Sequence, residues 1–183
     1  YFSQYYRGVV PVWKRGAPTR HLECLYNART GRNPEDAWCQ GEGYPQGPTF
    51  EAVPHAAPEQ GGIGLPAQQV LVNFVDNHDL PRFLFEETDD RRLRAALFYL
   101  FTWDGLPCVY YGTEQLFAGG VDPKNRESMS QGNAARGFAP FATDHDPFRF
   151  VQGLIAMRKD SPALRRGSVE TRYSVDQAGP RRD

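Results

Sequence analysis

Two short apolar segments separated by an amphipathic stretch constrain the fold of this chain more than any other feature. Residues 70–75 and 106–111 are nearly continuous apolar runs rich in branched or aromatic side chains. Such runs are typical of strands buried on both faces of a parallel sheet. Between them, apolar residues recur on one helical stripe: Leu93, Ala96, Leu97, Leu100 and Phe101. The pattern predicts a strand, a helix and a parallel strand.

A second amphipathic helix is predicted over residues 146–159. Pro147 suits its first turn, and its inward face would comprise Phe148, Val151, Leu154 and Ile155.

Both ends of the chain carry weaker patterns. Residues 1–10 and 19–28 are predicted to be helical, with Thr19 as a plausible cap. After Gly167, residues 169–174 alternate between polar and apolar, which predicts a strand at the start of a separate β domain.

A connector rich in glycine and proline occupies residues 31–69 and shows no periodicity. Because it leads from a helix into a strand, we expect it at the amino-terminal face of the sheet, away from any chemistry. Its segments at residues 41–43 and 61–64 look like phosphate loops. Neither follows a strand or opens a helix, so we predict no phosphate site there.

Charge and hydropathy exclude several classes of partner. The chain has 183 residues and a formal net charge of -1, which gives no footprint for nucleic acid or anionic lipid. The longest apolar-leaning run, residues 95–103, is too short to span a membrane. We therefore expect an uncharged partner. The chain begins at Tyr1, so a signal peptide would lie upstream and localisation stays open.

The cysteines have neither zinc-ligand spacing nor a redox-pair spacing. Cys24 and Cys39 either close a short loop as a disulfide or are free thiols, and the sequence favours neither. Cys108 lies in an apolar run, which predicts a small buried side chain.

Polar side chains cluster where the first predicted strand ends. Asp76, Asn77, His78 and Asp79 follow it directly, at the edge where α/β barrels place their active sites. Two other interpretations exist. The segment could be a turn that caps its own backbone, or Asp76, His78 and Asp79 could bind a metal ion, although neighbours in a turn rarely converge on one ion.

Longer motifs connect this cluster to a known family. FVDNHDLPRF (residues 74–83), GLPCVYYGTEQ (105–115) and GGVDPKNRE (119–127) occur in order and at the right separation. Together they closely resemble the last strands of the α-amylase family, glycoside hydrolase family 13, over about residues 70–170. The resemblance implies a partial TIM (β/α)8 barrel, about strands 6 to 8 with their helices. Residues 1–167 would be its C-terminal portion, and residues 168–183 the start of a truncated C-terminal β domain.

The same resemblance implies roles for individual residues. Asp79 would be the third carboxylate of a retaining enzyme, stabilising the transition state, and His78 would bind the same sugar. A carboxylate that accepts from two hydroxyls makes charge-assisted bonds that strengthen as positive charge develops on the ring. The nucleophile and the acid/base would lie upstream of Tyr1.

Asp122 and Arg126 map onto residues that bind a sugar further along the donor side. A loop-stabilising ion pair between them is an equal alternative. Arg82 and Glu114 are expected to orient their neighbours without touching substrate. Of Tyr110 and Tyr111, one would be core and the other would line the site.

The predicted function is therefore part of a retaining α-glucan hydrolase or transglycosidase, inactive alone. The substrate would be an α-glucan, and the resemblance favours a secreted or periplasmic location. No cofactor is expected in this chain, although calcium could bind to the parent enzyme through upstream ligands. One alternative is a noncatalytic barrel relative that binds carbohydrate or a partner. Another is a metal-dependent hydrolase using Asp76, His78 and Asp79.

Overall fold

A computed structural model describes residues 5–30, 37–41, 64–65, 67–87 and 89–178. It divides into two compact units. The first comprises Tyr1–Asn73, Asp104–Leu106 and Ser168–Asp183, and the second comprises Phe74–Trp103 and Pro107–Gly167. All the predicted site residues belong to the second unit.

The first unit begins with two helices, α1 (Tyr5–Lys14) and α2 (Arg20–Thr30). The predicted helix at residues 19–28 is confirmed by α2. Helix α1 covers residues 5–10 of the other segment predicted to be helical, and residues 1–4 lie outside the described part of the chain. It is a π-type helix with Pro11 inside. The Val10 carbonyl accepts from the Arg15 N–H at 3.1 Å, in the wider π pattern.

The C-terminal segment binds to α2 and forms no strand over residues 169–174, so the predicted strand is wrong. The Val175 N–H donates to the Thr19 hydroxyl at 3.0 Å, and the Tyr26 hydroxyl donates to the Val169 carbonyl at 3.1 Å. The Ser174 hydroxyl binds the Glu23 carboxylate. The alternation at 169–174 therefore reflects contacts with a helix rather than with a sheet.

A disulfide joins Cys24 of α2 to Cys39 of α3 (Ala37–Gly41), with the two Cα atoms 5.2 Å apart. This settles the choice that the sequence left open. Both cysteines are buried with Leu25. Closing a loop of this length contributes about 3 kcal/mol in the chain-entropy account. Cys108, by contrast, is exposed, so its predicted burial is wrong.

The predicted strands pair, but they are much shorter than expected. A helical turn, α4 (Ala67–Val70), precedes β1 (Val72–Asn73), which pairs with β2 (Leu106–Pro107). The Leu106 N–H donates to the Leu71 carbonyl at 2.8 Å. Beyond β2 the backbone turns: the Tyr110 carbonyl accepts from the Thr113 N–H, and the Tyr111 carbonyl accepts from Arg82. These carbonyls are therefore not used in a ladder.

Helices α5 (Asp90–Thr102) and α6 (Asp146–Asp160) pack together in the second unit. The stripe predicted for α5 is confirmed, because every one of its five members is buried. In α6, Val151 and Leu154 are buried as predicted, whereas Ile155 is exposed. Arg158 is buried instead of Ile155 and donates to the Phe101 and Trp103 carbonyls at 2.8 and 3.1 Å, where α5 ends. A short helix, α7 (Pro162–Arg166), follows.

Most of the connector at residues 31–69 lies outside the described residues, including most of the two glycine segments set aside above. None of the helices that the structure describes combines the length and the apolarity that a membrane span requires.

Candidate active site

The turn after β1 fixes the backbone of the polar cluster. The Asn77 Oδ1 atom accepts from the N–H groups of Asp79 and Leu80, at 2.9 and 3.0 Å. Such a side-chain-to-backbone bond mimics a turn and holds it closed. The self-capping turn suggested by the sequence is therefore present, and it presents two side chains outward.

His78 and Asp79 are those outward side chains. The His78 Nε2 atom lies 3.3 Å from the Asp79 Oδ1 atom, and the side chains are 60% and 53% exposed. An imidazole and a carboxylate that are adjacent and open to solvent can bind a polar ligand together. The structure thus brings together two of the predicted site residues.

Asp76 lies in the same turn but faces the interior. Its carboxylate accepts from the Thr113 hydroxyl at 2.9 Å and from the Phe83 N–H at 3.0 Å. Burial raises the pKa of Asp76, and the Phe83 N–H, the Arg82 charge and the Thr113 hydroxyl oppose that rise. Asp76 therefore links the turn to the segments that contain Phe83 and Thr113.

This orientation contradicts the metal-site alternative. Asp76, His78 and Asp79 do not converge, and in the described part of the chain no three or more His, Cys, Asp or Glu side chains are grouped so that they could hold a metal ion. Calcium binding to the parent enzyme through upstream ligands stays a prediction.

Arg82 lies beneath the site with no exposed surface. Its Nε atom donates to the Glu127 Oε2 atom at 3.0 Å, and its Nη1 atom donates to the Tyr111 carbonyl at 2.6 Å. Its guanidinium also lies 4.0 Å from the centre of the Tyr110 ring, within cation–π range. These contacts agree with the predicted scaffold role. Neither tyrosine is core: Tyr110 is half-buried and Tyr111 is exposed, so that prediction is wrong.

Glu127 in turn anchors the loop that carries Asp122 and Arg126. Its Oε1 atom accepts from the N–H groups of Ala118 and Gly119, at 2.9 and 2.6 Å. Gly119 is required there, because a Cβ atom would lie 1.8 Å from the Lys124 carbonyl oxygen. The loop is therefore closely packed on itself and bound to Arg82.

Asp122 and Arg126 form an ion pair on the surface of this loop. The Arg126 Nε atom is 2.7 Å from the Asp122 Oδ1 atom, and the side chains are 50% and 57% exposed. The ion-pair alternative is thus observed. Binding of a sugar by the same residues stays a prediction, since both remain accessible.

Asn125 is the site residue that sequence reasoning missed. It is fully buried, and its Nδ2 atom donates to the His78 and Leu80 carbonyls, each at 2.8 Å. A longer contact of 3.4 Å reaches the Asn77 carbonyl. The only available signal was its place between Asp122 and Arg126 in a loop already marked by a motif.

Comparison with known proteins shows which family this segment resembles. The family model of the alpha-amylase catalytic domain matches residues 62–149. The cyclomaltodextrin glucanotransferase of Geobacillus stearothermophilus is 38% identical over 102 residues, which cover 56% of this chain and 13% of that protein. An alpha-amylase of Niallia circulans is 36% identical over 102 residues, covering 56% of this chain and 18% of that protein.

A solved structure is similar over a longer part of the chain. CldA, described as the first cyclomaltodextrin glucanotransferase with a three-domain ABC distribution, has a TM-score of 0.59 and 25% sequence identity. The similarity covers 92% of this chain and 27% of that one. This chain spans less than a fifth of the length of either curated relative named above.

Proposed function

Because this chain belongs to the alpha-amylase family through the catalytic-domain segment at residues 62–149, we propose that it supplies one side of an active site that cleaves or transfers α-glucans. The observation that carries the proposal is the exposed pair of His78 and Asp79, 3.3 Å apart. The pair is held on a turn that Asn77 closes from within. Because the backbone of this turn is already fixed, little backbone ordering is needed for the Asp79 carboxylate to bind substrate.

Asp79 stabilises the transition state in this proposal. Its carboxylate accepts from two neighbouring hydroxyls of the sugar being cleaved. Those bonds strengthen as positive charge develops at the ring, so they lower the barrier more than they tighten ground-state binding. His78 donates to the same sugar from the adjacent position.

The nucleophile and the acid/base come from other parts of a complete catalytic domain. Retaining chemistry needs two carboxyl groups about 5 Å apart on opposite sides of the bond. Asp76 is the nearest carboxylate in sequence, but it is buried and both its oxygens accept hydrogen bonds. We accordingly place residues 1–167 in the C-terminal portion of a (β/α)8 barrel.

The named relatives include a hydrolase and a glucanotransferase, so the proposed class is glycosyl transfer from an α-glucan to water or to another sugar. A noncatalytic binding subunit fits less well, because His78 and Asp79 are both retained and both outward.

The loop with Asp122 and Arg126 binds a more distant sugar of the same glucan. An acidic and a basic side chain side by side complement vicinal hydroxyls.

The decisive experiment is Asp79→Asn in the complete catalytic domain. We expect turnover of a maltooligosaccharide to fall by about 1,000-fold, because a charge aimed at the transition state is lost while the side-chain volume is kept. Asp144→Asn, at an exposed aspartate outside the candidate site, is the matched control and should retain wild-type turnover. Wild-type turnover in Asp79→Asn would refute the proposal.

The 183-residue chain alone is expected to release no reducing sugar from soluble starch, because Asp79 can serve neither as nucleophile nor as acid/base in this site. The control is lysate from the same host without the chain. Starch cleavage above that control would contradict this expectation and direct attention to Glu86, Glu87 and Glu114.

A further inference from the structure

Asn125 makes contacts whose purpose is not explained by folding of its own loop. Its side-chain amide is completely buried and donates to the carbonyls of His78 and Leu80. These carbonyls flank Asp79 in the chain. A single amide thus binds the backbone on both sides of the proposed transition-state carboxylate.

We propose that Asn125 is a positioning residue for the reaction, and that it acts by fixing the backbone on either side of Asp79. The inference rests on the proposed function of Asp79. A buried carbonyl that loses its donor costs free energy and tends to turn toward another partner. Without the amide, the peptides on either side of Asp79 would rotate, and the carboxylate would move with them.

The donor half of the amide carries this role. The Nδ2 atom makes the contacts with the turn, whereas the Oδ1 atom is buried and makes no hydrogen bond. Aspartate has nearly the same shape, but it would place an oxygen where the carbonyl oxygens need a donor.

The loop remains attached without Asn125, so the effect of a substitution should be local. Arg82 bonds to Glu127 at 3.0 Å, and the Arg82 N–H donates to the Gly119 carbonyl at 3.0 Å. These contacts tie the two ends of the loop to the segment after the turn. Removing the Asn125 amide should therefore loosen residues 77–80 and leave the loop in place.

The test is a double-mutant cycle in the complete catalytic domain, with kcat and KM measured on a maltooligosaccharide for wild type, Asn125→Ala, Asp79→Asn and both together. We expect Asn125→Ala to lower kcat about 10- to 100-fold, the loss that a small misplacement produces, with KM within about threefold. In the Asp79→Asn background the same substitution should change kcat less than about twofold, because residues that act through one another are not additive.

An equal loss in both backgrounds, or wild-type kcat in Asn125→Ala, would overturn the inference. A wild-type rate in Asp79→Asn would instead overturn the proposed function, so the two failures are distinguishable. A structural role alone would lower stability in both backgrounds without this non-additivity.

Amide hydrogen exchange gives a readout independent of catalysis. Asn125→Ala should speed exchange at Asp79 and Leu80, whose N–H groups bind Asn77, and leave α5 and α6 unchanged. Unchanged exchange in the turn would contradict the inference. If α5 also loosens, Asn125→Ser is measured instead. Its hydroxyl keeps one donor, so partial recovery of kcat supports positioning, and kcat no higher than in Asn125→Ala refutes it.

Discussion

The candidate site has two layers that use the same residue types in opposite ways. The inner layer is Asp76, Arg82 and Asn125, each at most 1% exposed. The outer layer is His78, Asp79, Asp122 and Arg126, with side chains at least 50% exposed. Asp76 and Asp79 are only three positions apart in the chain. The same motif thus contains one carboxylate, Asp76, that fixes the turn and another, Asp79, that faces solvent.

The difference between the two layers shows how a site can have a rigid backbone and side chains that remain open to a ligand. A buried charge is tolerated only when hydrogen bonds and an opposite charge replace water. Asp76 and Arg82 meet that condition through backbone groups of several segments, so each bond also fixes a segment. The partly exposed Glu127 supplies the charge that pairs with Arg82. The outer layer contributes little to stability, and its side chains remain open to a ligand.

The two arginine–carboxylate pairs provide the largest contrast. Arg82→Met in the complete catalytic domain should lower the free energy of unfolding by about 3 kcal/mol, because Glu127 and the Tyr111 carbonyl lose a buried partner. Arg126→Met breaks a pair of the same chemistry that is half exposed. It should cost less than about 1 kcal/mol. Urea unfolding of both variants measures the difference.

Similar losses in both variants would show that the inner layer is no more tightly coupled than the surface. A large loss in Arg126→Met alone would reverse the assignment of layers.

The second contrast concerns pH and Asp76. Burial raises the pKa of Asp76 in the folded protein above its value in the unfolded chain. Its contribution to stability is therefore fully present at pH values below the ordinary aspartate range, about pH 4, and is lost as pH rises through the raised pKa. Wild type should lose stability relative to Asp76→Asn over that interval, since asparagine does not ionise. Unfolding free energies measured from pH 4 upward test the sign.

Thr113→Val sharpens the same test. The Thr113 hydroxyl lowers the pKa of Asp76, so its removal should extend the pH-dependent loss to higher pH. Parallel stability curves for wild type, Asp76→Asn and Thr113→Val would show that Asp76 does not titrate in this way.

Helices were predictable from the sequence because their periodicity records burial within one segment. The stripe on α5 is buried throughout. The predicted lengths of the two strands were wrong, because β pairing depends on partners distant in sequence. Residues 106–111 have a strand-like composition, yet the Tyr111 carbonyl binds the Arg82 guanidinium. The predicted burial of Ile155 was wrong for a related reason. Arg158, in the same helix, is buried and donates to a carbonyl at the end of α5.

The sequence predicted the exposed residues of the candidate site but not the roles of its buried residues. Outer residues such as Asp79 were proposed from a motif. The structure shows that their side chains are exposed, as their proposed chemistry requires, and their roles stay predictions. The inner residues Asp76 and Asn125 were not assigned their structural roles, because composition does not show whether a polar residue faces the interior. The sequence allowed Asp76 to be a metal ligand or part of a self-capping turn, and its bonds to Thr113 and Phe83 explain why the metal-ligand hypothesis was wrong.

The smallest expected effect separates the two interpretations of the outer ion pair. Arg126→Ala should reduce kcat/KM on maltohexaose about tenfold, the loss of one charged hydrogen bond, and on a short chromogenic maltoside less than about twofold. A contact can discriminate only among substrates that reach it. Asp122→Ala is the matched variant and should show the same bias. Equal losses on both substrates would mean that the pair, 2.7 Å apart, only stabilises its loop. Since the pair is half exposed, that stabilisation alone is too weak to explain a tenfold change confined to the longer substrate.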